Sequence, residues 1–171
     1  MRPLASPVRE LRIAALVQAG GCVVAIALVA LLERASVVGA IVLACLGAAI
    51  FGVAVWLAAY RRFLADALAD PPPDPHDVRR EDPGRTLTRT LVTTLPLVVV
   101  VVAMALLVPG VAGVLLGNAV ALALMARGMQ EWQLRERALL LREPRYRTQG
   151  PDGRTGRGFL DPVDFYRADL R

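Results

Sequence analysis

Four residues in the middle of the chain, Asp70, Asp74, His76 and Asp77, are of the types that hold a divalent cation. Three features argue against a site. His76 is the only histidine in the chain, the spacing is loose, and Arg79 and Arg80 follow directly. A solvated connector of mixed charge is the expected state, and no metal is assigned. Cys22 and Cys45 are the only cysteines. They lie at similar distances on either side of Arg34, so an antiparallel hairpin would bring them to one depth. Buried cysteine is most often a small apolar filler, and neither a disulfide framework nor a zinc site is supported.

Gln18 and Asn118 are the most polar residues inside the apolar runs. On one reading each makes a hydrogen bond between helices, worth only ~0.6 kcal/mol. On the other they line a small polar cavity. Asn118 falls near the middle of its run and Gln18 nearer one end, so no joint site is expected.

The absences are more informative. No Asp, Glu, Lys, Arg or His lies in 13–32, 36–60 or 90–126. Proton relays, ion-coupled carriers and voltage sensors normally need such residues. The only serines are Ser6 and Ser36, and one histidine cannot make a HExxH centre. There is no phosphate-binding glycine loop and no dinucleotide motif. No catalytic residue and no cofactor are expected, and the chain reads as non-enzymatic.

The elements that would position these residues follow from charge placement. Hydrophobic residues make up 56% of the 171 and charged residues 20%, and the two are segregated. A helix rises ~1.5 Å per residue and a bilayer core is ~30 Å thick, so about 20 apolar residues span it. Residues 13–32 are one such run and 36–60 a second. An uncharged run from Thr90 to Ala126 is too long for one span. Pro109-Gly110 near its middle predicts a tight turn, hence spans over 90–108 and 111–127. The expected fold is an all-α integral membrane four-helix bundle made of two hairpins. An N-terminal arm (1–12) precedes hairpin 1 (13–60), a Pro- and charge-rich loop (61–89) links it to hairpin 2 (90–127), and a tail (128–171) follows.

Orientation rests on arginine, which supplies all 20 basic residues, a usage that fits a GC-rich bacterial genome. Nineteen fall in the arm, the loop and the stretch from Arg127 to Arg171, against Arg34 alone on the other side. The positive-inside rule then places both termini in the cytoplasm, in an inner (plasma) membrane. Trp56, Tyr60, Phe63 and Trp132 suit an aromatic belt on that side.

Small residues recur every four positions: Ala40, Ala44, Ala48 and Gly52 in one span, Gly113, Gly117 and Ala121 in another. Such stripes let helices approach closely, inside the bundle or between protomers, and internal packing is favoured. Pro96, preceded by Thr93 and Thr94, is expected to bend its helix.

In the tail, "GMQEWQLRERALLLREP" reads as a juxtamembrane helix ended by Pro144. Asp161-Pro162 then resembles a helix start, and Phe159, Val163, Tyr166 and Leu170 would share one face of a short amphipathic helix over 161–170. That face would dock on a partner or fold back on the bundle. The expected partners are the lipid bilayer and another membrane protein or a second copy in a homo-oligomer. Nucleic acid is not expected, because the stretch from Arg127 to Arg171 has ten Arg against seven acids. The leading expectation is a structural or accessory subunit. The alternative is a small oligomeric pore or carrier for a neutral or weakly polar solute, with Asn118 and Gln18 on its path.

Overall fold

The computed structural model describes residues 2–4, 6–32, 35–55, 61, 65, 68, 71, 78–80, 82–142 and 165–169. The protein is mostly helical, with four helices among the described residues. Helix α1, Pro7–Leu31, begins after Ser6 in extended conformation, with Pro7 setting the first helical φ. Helix α2 is Val37–Val55. Helix α3, Pro83–Ala105, starts where Asp82 accepts a hydrogen bond from the Gly84 amide at 3.0 Å. A single 3₁₀ turn, Pro109–Val111, leads into helix α4, Ala112–Glu136. Three helices, α1, α3 and α4 with its leading turn, are long and apolar enough to cross a membrane, while α2 is apolar but shorter over its described residues.

The start of α3 corrects the expected loop over 61–89. Asp82-Pro83 caps a helix seven residues before the uncharged run begins, so Arg85 and Arg89 are helical. Pro96 lies within a helix that continues to Ala105. The Thr93 hydroxyl donates to the Arg89 and Thr90 carbonyls, each at 3.1 Å.

Helices α1 and α4 pack against each other, with α3 on α1 and α2 on α4. Cross-contacts fix the directions. Gln18 meets Asn118 while Arg12 meets Gln130, so α1 and α4 are antiparallel. Glu10 meets Arg89 and Gly21 meets Val98, so α3 runs with α1. Gly47 meets Gly113 and Gly52 meets Gly117, so α2 runs with α4. The buried positions of α1, Leu11, Ala15, Gln18, Cys22, Ala25 and Val29, alternate by four and three and form one stripe. One apolar cluster joins Val8, Leu11 and Ala15 to Leu122, Met125 and Met129. A second joins Cys22 and Ala25 to Ala44, Val98, Val101, Ala105 and Leu115.

Two small strand pairs sit at the end where α1 and α3 start and α4 stops. β1, Arg2–Leu4, runs parallel to β2, Val78–Arg80. β3, Ala138–Arg142, pairs antiparallel with β4, Phe165–Asp169. The second pair corrects two expectations. The juxtamembrane helix stops at Glu136, where Arg137 adopts a left-handed φ of 48°, and "ALLLR" continues as a strand. As a strand it buries Leu140 among Leu11, Met125 and Met129. Leucine's helix propensity is a weak bias that such packing overrides. Residues 165–169 are a strand rather than part of a helix over 161–170, because the β3 backbone needs a ladder partner that a helix could not supply.

Candidate functional site

Polar side chains inside the helical layer gather at two levels. At the end where α1 and α3 begin, Arg89 and Glu10 form an ion pair with only 6% and 12% of their side-chain surface exposed. Both precede the apolar runs in sequence, yet the first two turns of α1 and α3 press them together. On α3, Thr86, Thr90 and Thr94 continue the stripe at four-residue intervals, all buried. The Thr86 hydroxyl donates to the Asp82 carbonyl and Thr90 to Thr86, at 3.4 and 2.8 Å, so these hydroxyls are spent on their own helix.

About 12 Å further along α1, eight residues at ~1.5 Å each, is the second level. The Asn118 Nδ2 donates to the Gln18 Oε1 at 2.7 Å. This overturns the separation expected from depth. The middle of the uncharged run is not the middle of the molecule, because α4 continues to Glu136 and its start lies beside the interior of α1 and not at its end. The amides therefore meet across the α1–α4 contact. Their pairing is what two amides in an apolar layer do to satisfy each other.

The small-residue stripes lie on each other. A Cβ on Gly113 would stand 2.4 Å from the Ala44 carbonyl oxygen, 2.7 Å from the Ala48 nitrogen and 2.8 Å from the Gly47 Cα. One on Gly117 would stand 2.8 Å from the Ala48 oxygen and the Gly52 nitrogen. The backbones of α2 and α4 are in direct contact. Ala40 and Ala121, at the ends of the two stripes, are also buried. Gly47, which the four-residue count had omitted, belongs to the seam, its Cβ position 2.6 Å from the Gly110 oxygen.

Cys22 is buried and Cys45 exposed, both as free thiols. Among the described residues no group of three His, Cys, Asp or Glu could hold a metal. Asp70, Asp74, His76 and Asp77 lie outside the described residues, as do Trp56, Tyr60, Phe63, Phe159, Val163 and Leu170. Of the proposed docking residues Tyr166 is described. It sits in β4 opposite Leu141, half-buried in the chain's own strand pair. Arg167, next to it, reaches Glu136 at 3.8 Å.

Sequence reasoning missed the Glu10–Arg89 pair because it drew the helices only where charge was absent. The signal was present: Ser6-Pro7 and Asp82-Pro83 both carry a capping residue before a proline. No family model, curated protein or solved structure matches this chain.

Proposed function

We propose that the chain is a multi-pass integral membrane protein, a four-helix bundle with both termini and the central connection on the cytoplasmic side of a plasma membrane. We further propose that it acts without catalysis, as a structural or accessory subunit. One observation carries the reading. Gln18 with Asn118 and Glu10 with Arg89 are paired between helices, while Val92, Leu95, Val99 and Val100 on α3 and Ile41, Val42, Leu46 and Ile50 on α2 face outward. Such an inversion suits lipid as solvent. The packing of α2 on α4 supports an internal use of the small-residue stripes, so a partner would be met on the outer faces of the helices. The orientation is supported by the distribution of arginine and by the shared end that gathers Arg9, Arg12, Arg85, Arg89, Arg127 and Arg135.

Extraction from native membranes in mild detergent, followed by identification of what co-purifies, tests this. A stoichiometric membrane-protein partner is the expected result. A solitary homo-oligomer that carries a neutral solute across liposomes, with flux lost in Asn118→Leu, would establish the pore or carrier instead. That second reading is favoured by one feature, the Gln18–Asn118 pair held inside an apolar layer.

A further inference from the structure

The α1–α4 contact has an outward side that neither α2 nor α3 explains. The Arg12 Nη2 donates to the Gln130 Oε1, so these residues straddle one seam. Leu16 and Val23 follow Arg12 at helical spacing on the same face of α1, and Arg9 precedes it by one turn. On α4, Arg127 and Ala123 precede Gln130 by three and seven residues, and Val120 precedes Arg127 by seven. Arg9, Arg12, Leu16, Val23, Val120 and Arg127 are all exposed, Leu16 by 74% and Val23 by 68%. This outward side thus carries exposed apolar residues, with Arg9, Arg12 and Arg127 toward one end.

Its dimensions fit one kind of occupant. From Arg12 to Val23 is eleven residues, ~16 Å of helix. Half of a ~30 Å hydrocarbon core is ~15 Å. The charged end therefore stands at a head-group level when the apolar part fills one leaflet. Glu131 engages the Nε of Arg127 at 2.8 Å, and the two Nη groups of that guanidinium remain as donors. Glu10, on the same helix as Arg9 and Arg12, is turned inward to Arg89. Among the described residues of this face, Arg9, Arg12 and Arg127 outnumber Glu131, and guanidinium groups bind phosphate through paired donors.

We propose that the α1–α4 seam binds an anionic phospholipid of the cytoplasmic leaflet, its phosphate held by Arg9, Arg12 and Arg127 and an acyl chain lying along Leu16, Val23 and Val120. Basic sites between spanning helices on the cytoplasmic side are suited to such head groups. The inference rests on the membrane reading, so the first step separates the two. Membranes carrying the full chain are washed at alkaline pH. Release into the wash overturns the membrane reading and the site with it, while retention leaves the site to be judged alone. The detergent-solubilised full chain is then mixed with phosphatidylglycerol or phosphatidylcholine, and bound lipid is counted by native mass spectrometry. Preferential retention of phosphatidylglycerol is expected. The double variant Arg9→Gln/Arg127→Gln leaves the Arg12–Gln130 hydrogen bond in place and is expected to weaken that retention about tenfold. Arg85→Gln/Arg135→Gln, two exposed arginines away from the seam, is expected to retain it. Equal retention of both lipids by the natural chain, or unchanged retention by the seam variant, overturns the assignment.

Discussion

Arg89 and Glu10 are each stable in their surroundings because of the other. A guanidinium with 6% exposure that loses its carboxylate keeps its desolvation cost and loses its compensation. Removing one partner of a buried pair typically costs ~3–5 kcal/mol, whereas replacing both by apolar groups is often neutral. Glu10→Leu is therefore expected to lower the thermal unfolding midpoint in detergent, and Glu10→Leu/Arg89→Leu to recover most of the loss. A double variant as unstable as the single one would show that Arg89 has a second role. The Gln18–Asn118 bond is of smaller scale. Asn118→Leu is expected to cost on the order of 1 kcal/mol, because interhelical hydrogen bonds in lipid average ~0.6 kcal/mol with a maximum near ~1.7. A loss as large as that of Glu10→Leu would mean that the amide pair anchors more than its own contact.

At the scale of elements, glycine separates packing from propensity. Alanine in place of glycine within a helix gains ~0.8–1.0 kcal/mol of intrinsic preference. At Gly20 a Cβ meets nothing within 4 Å, so Gly20→Ala is expected to raise stability slightly. At Gly113 the same methyl would meet backbone atoms at 2.4 to 2.8 Å, and backbone cannot rotate away. Overpacking of this kind costs ~1–3 kcal/mol, which outweighs the gain. Gly113→Ala should therefore destabilise while Gly20→Ala does not, both read as unfolding midpoints. Equal effects would mean that α2 and α4 are not in backbone contact. The elements also explain what was legible beforehand. Pro109-Gly110 marks a turn wherever it falls, and a four-residue recurrence of small side chains can only be one face of a helix. The strands were not legible. "ALLLR" and "FYRAD" differ from helical segments only in what they meet in space, and the β3–β4 pairing joins residues more than twenty positions apart. Asp161-Pro162 and Asp82-Pro83 look alike in sequence, but the second is followed by a stripe, Thr86, Arg89, Thr90, Thr94 and Val98, that another helix buries, while residues 165–169 after the first form a strand.

For the whole molecule, the two hairpins differ in reach. From Gln18, α1 continues thirteen residues to Leu31, ~20 Å. From Asn118 back to Pro109 the path is six residues of α-helix and three of 3₁₀, ~15 Å. On the other side, the Gly110 carbonyl rests against Gly47, ten residues into α2. Hairpin 1 therefore overhangs the turn of hairpin 2 by at least about one helical turn. That turn has no polar side chain. Its amides at Leu107, Val108 and Val111 donate to the Met104 and Val108 carbonyls, and Leu107 is 82% exposed. A backbone so satisfied, with leucine outermost, suits hydrocarbon and not water. In a variant with Cys22 and Cys45 replaced by alanine, a membrane-impermeant maleimide applied from the non-cytoplasmic side should label Ser36→Cys and leave Val108→Cys unlabelled. Rapid labelling of both would place the two turns at one aqueous surface. Labelling of neither, with Ser36→Cys reactive only from the cytoplasmic side, would invert the orientation that the nineteen arginines imply.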